Sequence, residues 1–172
     1  MISVTLEWPV AEQQVVRQTL TLGKAACDDL RPVFERYRGV LRTRHRQTMD
    51  AMRDPLTGLP WTPLLPKYAA SKPPGTQNRI LYRSGRLRKA LTVFQAPWSI
   101  YQATPKSMVW GVDSPSIYPL VHQTTLRSRK DGQPLRRGYM GLKLPDDLNT
   151  LARYIRTHII GQIAKGGAKG GQ

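Results

Sequence analysis

The sequence is short of the residues on which most catalytic and metal chemistry depends. It holds one cysteine, Cys27, so no intrachain disulfide can form, stability must come from packing or assembly, and a reducing compartment is the natural setting. As a small apolar residue, Cys27 is expected to be half-buried rather than a reactive thiol. The histidines are His45, His122 and His158, and none has a His, Cys or carboxylate neighbour at ligand spacing, which argues against a metal site. Ser84 precedes Gly85 without the Gly-x-Ser-x-Gly pattern of a nucleophile elbow. Asp146 and Asp147 are adjacent, so on a helix start they point different ways and suit capping, not paired acid and base work. No glycine-rich loop opens a helix to cradle phosphate, and no cofactor is expected. No apolar run approaches the roughly 20 residues of a membrane span, the N-terminus lacks the layout of a signal peptide, and no internal repeat is visible. These absences point away from an enzyme and from a membrane partner.

Acidic residues are scarce too. Lys and Arg total 27 against 11 Asp and Glu, a formal charge of +16. Such a field favours polyanions, acidic protein surfaces or anionic membranes and names only the sign of a partner. At 172 residues the chain is long enough to bury roughly 70% of its unfolded surface in one domain, expected over residues 1–164, with residues 165–172 as a flexible Gly/Lys tail. The 14 prolines and 14 glycines predict long connections around a modest core.

Taken in order, Ile2, Val4, Leu6 and Trp8 alternate with polar residues as in a strand ended by Pro9. Val15, Val16, Leu20 and Leu22 fit a short helix over Val10 to Leu22, with Gly23 as its cap. The next helix is the best defined: Asp28 or Asp29 can accept first-turn N–H groups, Pro32 is tolerated in the first turn, and Leu30, Val33, Phe34, Tyr37, Val40, Leu41, Met49 and Met52 form one stripe. Arginines at 31, 36, 38, 42, 44, 46 and 53 occupy much of the rest. They form either a solvated basic face or a contact for an acidic partner or DNA, for which Arg38, Arg42, Arg44 and Arg46 are the candidates. His45 beside them is expected to be exposed.

From Arg53 to Asn78, the prolines and the turn Asp54-Pro55-Leu56-Thr57-Gly58 forbid a sustained helix, yet Leu59, Trp61, Leu64, Leu65 and Tyr68 need cover, which a neighbouring copy is expected to supply in part. Ile80 to Phe94 reads as a helix with Leu87, Ala90, Leu91 and Phe94 on one side. Trp98 to Asp113 reads as a hairpin turning at Thr104-Pro105-Lys106. A final amphipathic helix follows Pro145-Asp146-Asp147.

The chain is organised around Ile117 to Asp147: an apolar segment, a basic loop with Asp131-Gly132 at its tip, and a glycine-flanked aromatic turn running into that last helix. It presents a loop and concentrates no bond-making chemistry. The fold class expected is α+β, with a long amphipathic N-terminal helix, short antiparallel hairpins, a C-terminal helix and a long proline-rich connection.

Several ordered segments carry a resemblance: Asp54-Pro55-Leu56-Thr57-Gly58-Leu59-Pro60-Trp61-Thr62-Pro63-Leu64, Lys72, Ile80 to Leu87, Tyr118 with His122-Gln123, and Arg136 or Arg137 before Tyr139-Met140-Gly141-Leu142 and Asp146-Asp147. In these, Asp28 to Ile163 resembles the virion morphogenesis, or tail completion, family of Mu-like tailed phages. Pro119, Thr124, Thr125 and Gly138-Tyr139-Met140 depart from that family's usual pattern and mark a diverged member. The resemblance implies a structural protein of the head-to-tail junction, made in the host cytoplasm and incorporated into the virion. It would close into a ring with itself, a hexamer in preference to a dodecamer, and contact neighbouring neck and tail proteins, with DNA in the channel as a further partner. The expected subunit or partner contacts are Trp61, Leu64, Tyr68, Tyr118, His122, Gln123, Arg127, Arg129, Lys130, Arg136, Arg137 and Tyr139.

Overall fold

The computed structural model describes residues 10–113, 115, 122–123, 137–141 and 145–169. The strand expected over Met1 to Pro9, and Tyr118, Arg127, Arg129, Lys130 and Arg136, lie outside the described residues. The described elements are α1 (Val10–Asp28), α2 (Arg31–Ala51), α3 (Pro66–Ala70), α4 (Arg86–Thr92), β1 (Ser99–Ala103), β2 (Met108–Val112) and α5 (Asp146–Lys169), an α+β arrangement.

The first helix runs past its expected end. Gly23 does not cap it: a Cβ there would meet Ile163 at 3.7 Å, so this glycine lies where α1 meets α5. The two helices run antiparallel, since Leu22 lies against Gly166, Gly23 against Ile163, and Asp29 senses the charge of His158. Gly166 likewise faces α5's partner, and α5 continues to Lys169 through residues that composition alone reads as tail. A glycine costs a helix about 1 kcal/mol, which close helix packing offsets. Cys27 is exposed, not half-buried.

Helix α2 has the expected length and stripe, with Val33, Phe34, Tyr37, Leu41 and Met49 buried. Its N-terminus is served from just outside the cap, where Asp29 Oδ1 accepts the Arg31 N–H at 3.1 Å and its carboxylate also pairs with the Arg31 guanidinium. Asp28 ends α1 and pairs with Lys106. Two residues on the supposedly polar face are buried: His45 and Arg38. Met52 ends the helix in the left-handed region at φ 51. The Asp54 turn then takes over, its Oδ1 accepting the N–H groups of Leu56 at 2.8 Å and Thr57 at 3.1 Å, with Gly58 at φ 71.

The core lies where the long connection passes under α2 and α4. Met49, Trp61, Ile80, Leu81, Leu87, Leu91 and Tyr139 are buried together, with Met52, Leu64, Val112 and Met140 packed at its edge. Trp61 therefore finds its cover within its own chain, whereas Leu59, Leu65 and Tyr68 are exposed. Helix α4 is shorter than expected because Leu81 sits at φ 56, a conformation no α-helix accommodates, and turns inward to the core. Phe94, beyond the helix end, is exposed.

The hairpin forms as its alternation predicts, β1 pairing antiparallel with β2 in the register Ser99 to Val112, Tyr101 to Trp110 and Ala103 to Met108. Its tip touches the start of α2, where Leu30 N–H donates to the Pro105 carbonyl at 2.9 Å.

The C-terminal helix is fastened to α2 by one carboxylate. Asp147 is 1% exposed, is ion-paired with Arg44 and accepts the Tyr37 hydroxyl at 2.9 Å. Removing one member of such a group leaves a buried charge without its partners. Asp147→Ala is expected to lower stability by about 3 kcal/mol, and Tyr37→Phe by about 1 kcal/mol, in urea unfolding followed by far-ultraviolet circular dichroism.

Candidate interaction surface

The segments that carry the resemblance meet in space. The Trp61 indole N–H donates to the Gly138 carbonyl at 2.8 Å, across 77 positions of sequence. Gln123 holds the same segment from the other side: its Nε2 donates to the Met140 carbonyl at 2.7 Å, while its Oε1 accepts the N–H groups of Tyr139 and Met140, each at 3.1 Å. The Arg137 N–H donates to the His122 carbonyl at 2.7 Å, and its guanidinium Nε to the Thr62 carbonyl at 3.2 Å. Gly138 permits this approach because a Cβ would lie 2.4 Å from Asp54 Oδ2. Gly141 is similarly close to Leu56. A side chain at Gly138 would displace the Asp54 carboxylate, and one at Gly141 the Leu56 side chain.

Trp61, His122, Arg137 and Tyr139, all expected as partner contacts, are thus buried inside one copy, and Gln123 is half-buried among them. Of the expected contacts on the described residues, Leu64 is half-buried at the core edge and Tyr68 is exposed. Lys72 is buried nearby, its ammonium donating to the Arg79 carbonyl. Burial, then the charges of Arg137 and Arg83, lowers its pKa.

The four arginines considered for an acidic partner or DNA divide in the same way. Arg38 lies 4.0 Å from the Tyr101 ring centroid and 4.2 Å from that of Phe94. Arg42 covers Phe94's ring at 3.7 Å and donates two hydrogen bonds to the Thr92 carbonyl. These contacts use guanidinium faces against aromatic rings to fix α2 on α4 and β1. Arg44 holds Asp147. Arg46 is exposed. Periodicity identified the arginines, but not which of them have aromatic neighbours, since Phe94 and Tyr101 are far away in sequence.

His45 was missed as a structural residue. Its Nε2 accepts the Trp110 indole N–H at 3.2 Å, the two rings stack at 5.9 Å, and it hydrogen-bonds the Tyr139 backbone. Burial lowers its pKa from 6.5 to about 4, opposed by the Tyr139 bond and reinforced by Arg44. The imidazole is therefore neutral at physiological pH, the form able to accept from Trp110.

An apolar groove opens beside this histidine, about 510 Å³ in volume, between α2, β2 and the start of α5. Further apolar side chains are uncovered on α1 and α5: Val10, Val15, Val16, Leu20, Leu148 and Ile160. Among the described residues, no group of three or more His, Cys, Asp and Glu could hold a metal ion, and no helix is long and apolar enough to cross a membrane.

A sequence model of the phage virion morphogenesis family matches residues 11–162. No curated protein and no solved structure matches the chain.

Two outcomes test the internal role of these residues. The native state takes up the His45 proton only below about pH 4, whereas the unfolded chain takes it up near 6.5, so this group's stability is complete above pH 6.5 and lost as the pH falls toward 4. The loss is expected to be about 2 kcal/mol between pH 7 and pH 5 and absent from His45→Phe, read from urea midpoints at each pH. Gly138→Ala is expected to lower the melting temperature by several degrees through its clash with Asp54, a destabilisation of about 2 kcal/mol.

Proposed function

The chain belongs to the phage virion morphogenesis family, and on that premise we propose that it is a ring-forming subunit of the phage head-to-tail junction, a tail completion or tail terminator protein. One observation carries the reading: Trp61, Gln123, Arg137 and Tyr139 make their polar contacts inside one copy, while apolar side chains on α1 and α5 are left uncovered, with Val10 78%, Leu20 67% and Leu148 54% exposed. Apolar area of this kind on a small chain suits contact with other subunits. A heterologous contact that closes makes a ring, the form expected at a junction of tubular parts. The buried His45 and Asp147 each hold elements together, and Lys72 ties the long connection to itself, which fits a scaffold and not a catalyst.

Another neck or collar ring, set against a portal-side adaptor, shares these features and differs in its neighbours. The rival class is a free-standing nucleic-acid-binding protein: it loses Arg38, Arg42 and Arg44 to internal contacts but keeps a basic surface, because Arg46, Arg79, Arg83, Arg86 and Lys89 are exposed on or beside α2 and α4. Its signature is affinity for plain duplex DNA that falls steeply with salt.

Native mass spectrometry of the purified protein at micromolar concentration is expected to give one discrete multimer, a hexamer before a dodecamer, with no duplex DNA retained at physiological salt. A monomer at every concentration, or tight salt-sensitive DNA binding without self-assembly, overturns the proposal. In assembly reactions lacking the protein, heads and tails are expected to accumulate unjoined by negative-stain microscopy.

A further inference from the structure

The ring reading leaves open which surfaces meet, and the geometry points to a specific heterologous contact, resting on that reading: the N-terminal half of α1 of one copy seats in the apolar groove between α2, β2 and the start of α5 of the next. Three observations carry it.

The first is reach. Since Leu22 lies against Gly166, and α5 is described to Lys169, among the described residues only a short part of α1 before Leu22 runs alongside α5. The remainder, back to Val10, extends roughly 14 Å further at 1.5 Å per residue. Val10, Val15, Val16 and Leu20 belong to this half and are exposed. A helix this short has little stability of its own in water and gains it from packing.

The second is the groove. Phe34, Tyr37, Leu41, Met108, Trp110 and Leu148 line it. A concave apolar trough is how one protein receives the apolar face of another's helix. The helix of the same copy cannot fill it. Lys106, at the groove's edge, donates to the Cys27 carbonyl at 2.7 Å and pairs with Asp28, which fixes the C-terminal end of α1 there. The straight helix then carries Leu20 to Val10 roughly 12 to 27 Å away. Another copy's helix has no such restriction.

The third is charge. Two bodies of +16 repel wherever their basic faces meet. On α1, however, Glu12 and Asp28 balance Arg17 and Lys24. In the groove the charged groups are Asp147, held by Arg44 and Tyr37, and Lys106, paired with Asp28. Both surfaces are near neutral, so like-charged copies can approach along this pair of faces.

Each copy offers one helix and one groove at different places, so the contact is directional and repeats around a closed assembly. The test uses full-length chains with substitutions at side chains exposed in one copy: Val16→Glu with Leu20→Glu on the helix, and Leu148→Glu on the groove rim, where an acidic residue in the first helical turn is favoured. Sedimentation velocity, with circular dichroism to verify folding, is expected to show each variant folded and monomeric, with self-association weakened at least 100-fold. An equimolar mixture is expected to form a one-to-one heterodimer, because one partner keeps its helix and the other its groove. If the helix variant assembles like the wild type, or the mixture forms no pair, the contact is wrong while the ring reading stands. A wild-type chain that never associates removes both. If a variant fails to fold, disulfide crosslinking of Leu20→Cys with Leu148→Cys in a Cys27→Ser background replaces it: crosslinked dimers and higher ladders support the contact, and their absence in a wild-type-like multimer overturns it.

Discussion

A buried carboxylate ties the C-terminal helix to α2. Asp147 opens α5, yet its side chain turns inward to Arg44 and Tyr37 on α2. Because α1 packs along α5, the position of the N-terminal helix depends on that pair as well. An ion pair of this kind contributes little net stability over an apolar replacement, and its value lies in fixing one geometry.

A second constraint is the close approach of two loops. The turn after α2 and the segment from Arg137 to Gly141 touch through glycines, the Trp61 indole and both ends of the Gln123 amide. These residues are buried polar and aromatic groups whose hydrogen bonds are satisfied inside one copy. These contacts serve the fold of one copy, whereas the exposed apolar side chains of α1 and α5 take no part in them.

The large positive charge is partly structural. Arg38 and Arg42 lie against Phe94 and Tyr101, Arg44 pairs with Asp147, and Arg88 with Asp50, so several guanidinium groups act as planar packing pieces between elements. Among the described residues, Arg46, Arg86 and Lys89 stand exposed on α2 and α4, while α1 carries two acidic and two basic residues.

The sequence by itself determined the α+β class, the stripe of α2, the hairpin, the Asp54 turn and the family, because each rests on local periodicity, turn chemistry or ordered short motifs. It misplaced the ends of α1, α4 and α5: glycine at 23 and 166 reads as a helix breaker until another helix is packed against it, and the left-handed Leu81 has no local signature. It also read Trp61, Arg38 and His45 as outward-facing. Only the tertiary structure decided their burial, since the partners that satisfy them, Gly138, Tyr101 and Trp110, stand more than 60 positions away and a hydrogen bond or ring contact at that separation leaves no periodic trace.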